Sequence, residues 1–305
     1  MTSTPTAPRQ AEPGVEREFT VAARTQWQMV TRRFFAHKLA MISLTVFVIV
    51  VGVAFILPLF MKHDFHYYKT NPLSASPSAK HLFGTDSIGH DVFAETLRGI
   101  QVSVEVSMLA MVIGEALGIV IGAIAGFYRG WVDSLLMRAV DVILTVPVLV
   151  LVLVLSTAVG GSWWIIALII GGVSAAPTSR LVRSVFLSLR EREYVEAARA
   201  LGATDKRIIW RHLLPNSLGP IIVDATLAVA GAILTESALS FIGFGIQPPD
   251  VSLGNLINQG VNASQTRPWL FYFPGMAIII VVLTVNFIGD GLRDALDPTQ
   301  QRVRA

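Results

Sequence analysis

The chain has 305 residues, of which 53% are hydrophobic and 15% charged, and its formal net charge is +3. Soluble domains carry about 25% charged residues, and the mean hydropathy of this chain is +0.60. These values exclude a water-soluble globule and indicate an integral membrane protein. The basic residues are spread along the chain rather than gathered in one patch, which argues against nucleic-acid binding. No cysteine is present, which excludes a thiol nucleophile, a thiolate metal site and a disulfide framework.

The N-terminal part of the chain changes abruptly from polar to apolar. Residues 1–38 are rich in Pro, Thr and Arg, so we expect a loose tail there. The apolar run from Leu39 to Phe60 is too long for a signal-peptide core, and no small-residue cleavage site follows it. We therefore expect an uncleaved first transmembrane helix at 39–61, followed by a loop at 62–100.

Five later segments also have about the 20 apolar residues that cross a bilayer. They do not alternate polar and apolar residues, so they predict helices rather than the strands of a barrel. With the first helix, the six predicted spans are 39–61, 101–126, 134–157, 163–180, 218–243 and 270–289. The fourth is short, and we expect Gly171, Gly172 and Pro177 to interrupt it.

The second predicted span carries a glycine at every fourth position. At 3.6 residues per turn these glycines form a stripe along one face, where another helix can approach closely. The stripe consists of Gly114, Gly118, Gly122 and Gly126. It predicts a helix that packs against protein rather than lipid.

The distribution of Lys and Arg predicts the orientation of the chain. Nineteen of them fall in the two terminal segments and in the connections at 127–138 and 180–216, and five fall in the remaining connections. Basic residues are enriched on the cytoplasmic side of a membrane. We therefore expect both termini and the 180–216 segment to lie in the cytoplasm. Near that side, Arg138 and Asp141 are three residues apart, so we expect them to pair locally.

The 180–216 segment has the pattern of two short helices. Residues 191–201 are good helix formers, and Gly202 follows where a helix end is expected. Thr204 or Asp205 can cap a second helix, which Pro215 discourages from continuing. The apolar faces of these two helices are Tyr194, Ala197, Ala198 and Leu201 in the first, and Ile208, Ile209 and Leu213 in the second.

The motif Glu196-Ala197-Ala198, with Gly202 and Leu214-Pro215, resembles the EAA loop of ABC-importer permeases. Three further segments resemble the C-type permease subunit of dipeptide and oligopeptide importers, a group that also contains nickel permeases. These segments are His81–Asp91, Leu239–Pro249 with Gly254-Asn255, and Gly289–Pro298. The resemblance covers about residues 34–298 and has one departure, His90, where the family usually has Arg.

This resemblance implies an all-α membrane protein with the type I ABC-importer permease fold. It implies a core domain at 101–292, a coupling loop at 191–215 that docks on an ATPase subunit, and a cytoplasmic C-terminal tail at 293–305. The residues that it assigns to ATPase coupling are Glu193, Tyr194, Glu196, Ala197, Ala198, Leu201, Gly202, Ala203, Leu214 and Pro215.

The sequence contains no phosphate loop and no Gly-Lys pair, so we expect no cofactor on this chain. By the family precedent, ATP and Mg²⁺ bind to two ABC ATPase domains. The other expected partners are a homologous second permease subunit, an extracytoplasmic peptide-binding protein and the cytoplasmic membrane of a prokaryote.

Carboxylates inside predicted spans are costly and often functional. The candidates for the translocation path are Glu115 and Glu236, together with Ser237 and Ser240, which follow Glu236. The alternative is that these carboxylates are buried and hydrogen-bonded to other side chains without facing the path. Three functions remain as alternatives to peptide import: transport of nickel or a metal chelate, proton-coupled secondary transport, and a membrane scaffold without a transport role. A weak metal-binding pattern, His63, Asp64 and His66, bears on the nickel reading.

Overall fold

The structure is a computed structural model that describes residues 26–61, 65 and 71–297. Within these residues the chain is helical, and one isolated bridge joins Thr85 to Asp91. The helices are α1 (Gln26–Ala36), α2 (Lys38–Ile56), α3 (Val92–Tyr128), α4 (Gly130–Thr145), α5 (Val148–Val159), α6 (Trp163–Arg190), α7 (Glu193–Ala200), α8 (Asp205–Ile208), α9 (Leu214–Phe241), α10 (Leu253–Val261) and α11 (Trp269–Leu296). The predicted all-α fold is confirmed.

The described residues contain five helices long and apolar enough to cross a membrane, and six spans if the bent pair α4 and α5 counts as one. The two halves of that pair meet at 90°. Pro147 lacks a backbone N–H and disfavours the helical conformation at the residue before it, and Val146 is accordingly extended (φ −93°, ψ 131°). The third predicted span, 134–157, is therefore two helices rather than one.

Helices α3, α6 and α11 each extend well beyond the predicted spans, and α11 reaches Leu296 inside the predicted tail at 293–305. α3 begins at Val92, inside the predicted 62–100 loop, because Asp91 caps it by accepting the backbone N–H groups of Phe93 and Ala94. Its 37 residues span about 55 Å, well beyond the apolar core of a bilayer. The predicted interruption of the fourth span was wrong, since α6 runs unbroken for 28 residues with Pro177 inside it.

Two helices were missed. α1 occupies the end of the predicted tail and packs against α11, so the tail at 1–38 is not loose throughout. α10 lies in the predicted connection before the last span, packs against α9 and α11, and is capped by the Ser252 side chain. Both helices are too short to produce a span signal, and the packing partner of α1 is distant in sequence.

The helices pack around α3 and α11. α3 lies along α6, and α11 packs against α2 and α9. One buried cluster joins the end of α6 to the connection between α6 and α9, and its members are Ala123, Phe127, Val182, Phe186, Val195, Ile208, Leu213 and Ile221. This cluster positions the candidate functional site.

Candidate functional site

The predicted two-helix segment is a hairpin of α7 and α8, which we call the coupling hairpin (residues 191–215). α7 ends in a Schellman motif, in which the N–H of Ala203 donates to the carbonyl of Ala198 and the N–H of Gly202 to that of Arg199, both at 3.0 Å. Gly202 has φ +79°, a left-handed conformation that side chains with a Cβ rarely adopt. The predicted helix end at Gly202 is confirmed.

The second helix of the hairpin does not end where the sequence suggested. Of the two predicted capping candidates, Thr204 caps α8 by accepting the N–H of Arg207. Residues Ile209–Leu213 then form a π-helical turn that leads directly into α9. This wider turn brings the chain past Pro215, and the side-chain amide of Asn216 donates to the carbonyl of His212 at 2.6 Å. The expectation that Pro215 stops the helix was wrong, and the hairpin is continuous with a spanning helix.

The hairpin rests on a solid apolar base. Val195 of α7, Ile208 of α8 and Leu213 of the π-helical turn are fully buried, and they pack with Phe127 of α3 and Phe186 of α6. Val195 was not among the apolar residues predicted for α7. Because both arms are buried on the same cluster, the hairpin and the ends of the spanning helices form one packed unit.

The outer surface of the hairpin is exposed and partly apolar. Leu201 has 88% of its surface exposed and Tyr194 has 41%. Burying the Leu201 side chain against a partner would be favourable by about 1.5–3 kcal/mol relative to leaving it in water. The exposed members of the predicted coupling set are Glu193, Tyr194, Glu196, Ala197, Leu201, Gly202 and Pro215, and the half-buried members are Ala198, Ala203 and Leu214.

Arginines connect the base of the hairpin to its neighbours. Arg183 of α6 makes a bidentate ion pair with Asp133 of α4, with N–O distances of 2.5 and 2.6 Å. Arg190 donates to the carbonyl of Phe127, and its guanidinium lies 5.6 Å from the centre of that ring. Arg129 pairs with Glu191 at 2.5 Å. These contacts hold α4, α3 and α6 together where the hairpin begins.

Asp141 also pairs across helices rather than within its own. It accepts a hydrogen bond from Arg180 of α6. The expected local pair with Arg138 is therefore wrong, because α6 places an arginine closer than the one on α4.

The glycine stripe lies against α6 along its whole length. A Cβ on Gly118 would lie 2.6 Å from Cβ of Thr178, and one on Gly126 would lie 2.8 Å from Cβ of Phe186. A Cβ on Gly114 would lie 3.1 Å from the carbonyl oxygen of Gly171, and one on Gly122 would collide with the carbonyl oxygen of Ser179. The predicted close helix approach is present, and its partner is α6.

Glu236, Ser237 and Ser240 belong to a buried polar cluster. The Glu236 carboxylate has no exposed surface and accepts hydrogen bonds from Ser103 of α3 at 3.2 Å and from Ser240 at 2.7 Å. Ser240 in turn accepts the backbone N–H of Ile246 at 3.1 Å. The cluster ties α9 to α3 and to the segment after α9, and its place on the translocation path stays a prediction.

Glu115 has a different environment. It is 7% exposed, and neither carboxylate oxygen has a hydrogen-bond partner within the described part of the chain. Thr178 and Asp224 are its polar neighbours, and Thr178 donates to Asp224 at 2.8 Å. Its role on the path also stays a prediction.

A cavity of 1060 Å³ lies between α1, α6, α9 and α11. Its wall includes Asp224 and three arginines, Arg33, Arg192 and Arg293, and it reaches the foot of the hairpin at Pro215. Sequence reasoning did not single out these arginines, because the wall combines four helices, one of which was not predicted. The sequence pattern His63, Asp64 and His66 lies outside the described residues.

A comparison with known families decides the assignment. The family model described as "binding-protein-dependent transport system inner membrane component" matches residues 118–302. This range includes the glycine stripe from Gly118 onward and the whole coupling hairpin. The chain belongs to this family. A model of the N-terminal transmembrane domain of oligopeptide transport permease C matches residues 25–77.

Individual members of the family are similar over most of their length. The oligopeptide transport system permease protein OppC of Mycobacterium tuberculosis is 40% identical over 278 residues, which are 90% of this chain and 96% of that protein. The dipeptide transport system permease protein DppC of Alkalihalophilus pseudofirmus is 39% identical over 293 residues, 95% of each chain. A putative peptide permease of Brucella suis is 40% identical and covers 87% of this chain and 89% of its own.

Among solved structures, a chain of the MetNI methionine ABC transporter in an inward-facing conformation is similar in fold. The TM-score is 0.53 at 20% identity, and the match covers 66% of this chain and 95% of that chain. This match confirms the predicted ABC-importer permease fold. The family and the apolar helices together indicate a multi-pass membrane protein.

Proposed function

We propose that this chain is the permease subunit of an ATP-driven importer that carries dipeptides or oligopeptides across the cytoplasmic membrane. The names of its relatives at 39–40% identity support the peptide cargo. The observation that carries the mechanism is the coupling hairpin, whose exposed apolar tip stands on a buried base continuous with α9.

In this proposal the hairpin transmits the movement of an ATPase subunit to the membrane. Leu201 and its exposed neighbours enter a groove on that subunit, which removes their apolar surface from water. ATP and Mg²⁺ bind to two ATPase domains outside this chain, which lacks a phosphate loop and performs no hydrolysis. Closure of those domains displaces the hairpin with α9 and α6, and the route alternates between its two openings.

The remaining partners follow from the same proposal. A homologous second permease completes the route, and an extracytoplasmic binding protein delivers the peptide. The cavity between α1, α6, α9 and α11 supports a route on the hairpin side, because Arg192 and Pro215 belong both to its wall and to the hairpin.

Ala197→Arg tests this function. Ala197 is exposed on α7, so the longer, charged side chain is tolerated in the free chain but blocks close docking. We expect uptake of a labelled oligopeptide to fall to the background of an importer without ATP. We also expect loaded binding protein to lose its stimulation of ATP hydrolysis in proteoliposomes.

The matched control is Ala197→Ser, which keeps a small side chain and is expected to transport normally. Membrane abundance of both variants is measured alongside, because a misfolded chain also loses transport. Full peptide uptake and full ATPase stimulation by a normally abundant Ala197→Arg chain would remove the support for coupling through this hairpin.

We further propose that both termini and the coupling hairpin lie in the cytoplasm. The excess of Lys and Arg in these segments supports this orientation. The hairpin and the segment 71–91 lie at opposite ends of the bundle, because α3 crosses it from that segment to Arg129, which pairs with Glu191 where the hairpin begins.

Single cysteines test the orientation directly, since the natural chain contains none. We expect an impermeant maleimide added to intact cells to label Ser78→Cys and Asn262→Cys, both of which are exposed at the end opposite the hairpin. Thr204→Cys is expected to react only after the membrane is opened. Labelling of Thr204→Cys in intact cells would reverse the orientation.

A further inference from the structure

At the end of the bundle opposite the hairpin, three side chains converge where the segment 71–91 joins α3. We propose that Asp86, His90 and Glu95 form a binding site for one divalent transition-metal cation. Of these cations, Zn²⁺ fits the three ligand atoms best. The cation is a fixed structural element of the permease and is distinct from the transported cargo.

The three donor atoms have the spacing of a metal site. Nδ1 of His90 lies 3.1 Å from Oδ2 of Asp86 and 3.6 Å from Oε1 of Glu95, and all three donor atoms lie within 4.8 Å of one another. Tetrahedral ligands with bonds of about 2.0–2.2 Å are separated by roughly 3.3–3.6 Å. A cation between the three atoms therefore needs small side-chain rotations only, and water can take the fourth position.

Asp86 is held in place for this role by its own loop. Its Oδ1 accepts the backbone N–H groups of Ile88, Gly89 and His90 at 2.9, 2.7 and 2.7 Å. Its backbone N–H donates to the carbonyl of His90 at 3.0 Å. These bonds fix the carboxylate and direct Oδ2 toward the His90 ring, as outer hydrogen bonds orient the carboxylate ligands of known metal sites.

Glu95 supplies the second, independent observation. It is 5% exposed, and no hydrogen bond to its carboxylate is found in the described part of the chain. The 3.6 Å separation from the His90 ring is too long for a hydrogen bond. Asp86 and Asp91 lie close enough to repel its charge. A charged carboxylate in that position is costly unless a cation or a proton compensates it.

The neighbouring histidine pair shows the contrast. His81 contacts Asp91 at 2.8 Å, and Asp91 also accepts two backbone N–H groups as the cap of α3. Within the described residues, no third metal-ligating side chain groups with that pair. The site of Asp86, His90 and Glu95 offers one imidazole nitrogen and two carboxylate oxygens, a donor set that suits Zn²⁺, Co²⁺ or Mn²⁺ better than Ca²⁺ or Mg²⁺.

The test uses the full chain assembled with its partner subunits and purified after treatment with EDTA. Zn²⁺ is titrated calorimetrically, bound zinc is counted by mass spectrometry, and Co²⁺ absorption reports the ligand geometry. We expect one Zn²⁺ per permease chain. Loss of one ligand in Glu95→Gln or His90→Arg is expected to weaken binding at least about 100-fold, since loss of an outer partner alone costs 10- to 100-fold.

The two variants are chosen to fold. Glu95→Gln keeps the volume of the side chain, and the arginine of His90→Arg can pair with both carboxylates without ligating a metal. The control is His37→Gln, which removes a histidine that faces a single carboxylate, Asp294, at 3.5 Å. We expect it to bind Zn²⁺ as tightly as the natural chain. If the natural chain binds Zn²⁺ no more tightly than Glu95→Gln and His90→Arg, the site does not exist.

Discussion

Gly202→Val is expected to reduce peptide transport roughly tenfold or more, while Gly202→Asn is expected to retain it. The reason lies in the backbone, because Gly202 has φ +79° and a Cβ placed there meets nothing within 4 Å. A β-branched residue in this conformation costs about 1–3 kcal/mol. A cost of about 1.4 kcal/mol already lowers the equilibrium constant for the docking-competent turn tenfold. Asn tolerates the left-handed region, so it preserves the turn.

The expected failure is local. Strain at Gly202 is relieved when the Schellman bonds of Gly202 and Ala203 break, which releases α7 from its angle to α8. The buried base, with Val195 and Ile208, remains packed.

Three measurements check this prediction: peptide uptake, ATPase stimulation and membrane abundance of the two variants. Equal transport by the Val and Asn variants at equal abundance would show that the conformation at Gly202 does not matter for coupling.

Gly122→Val is expected to prevent stable accumulation of the chain. A Cβ on Gly122 collides with the carbonyl of Ser179 and lies 2.7 Å from Cβ of Val182, so α3 and α6 must move apart. Overpacking of a well-packed interior costs about 1–3 kcal/mol and more where backbone must shift. The contact lies between two helices that pack along one another, so the backbone of one of them must shift.

The matched control for this prediction is Gly172→Val. Gly172 lies inside α6, and a Cβ there meets nothing within 4 Å, so the control carries the same change in helix propensity without the collision. Fluorescence-detected size exclusion and thermal unfolding compare the two variants. The interpretation of the stripe fails if Gly122→Val accumulates and unfolds like Gly172→Val.

Local chemistry made several features predictable. Gly202 follows a run of helix formers, and Thr204 is a capping residue, so the turn of the hairpin was evident from neighbouring residues. The glycines from Gly114 to Gly126 predicted a close helix contact from their spacing. Neither signal depends on where the rest of the chain lies.

Other features were misread because a local signal met a stronger context. Pro177 and Pro215 both suggested helix ends, yet α6 continues through one and a π-helical turn leads past the other. Pro147, which was not used, marks the 90° bend between α4 and α5. A proline removes one backbone donor, and the surrounding packing decides whether the helix breaks, bends or continues.

The sequence by itself determined that this chain crosses a membrane as helices, where its coupling hairpin turns and which face of α3 receives another helix. These properties follow from hydropathy, backbone preference and spacing, which act over a few residues. Only the tertiary structure decided that α6 is the helix on the glycine stripe and that serines from two helices satisfy Glu236. Contacts between groups far apart in sequence depend on how the helices are arranged, and no local pattern encodes that arrangement.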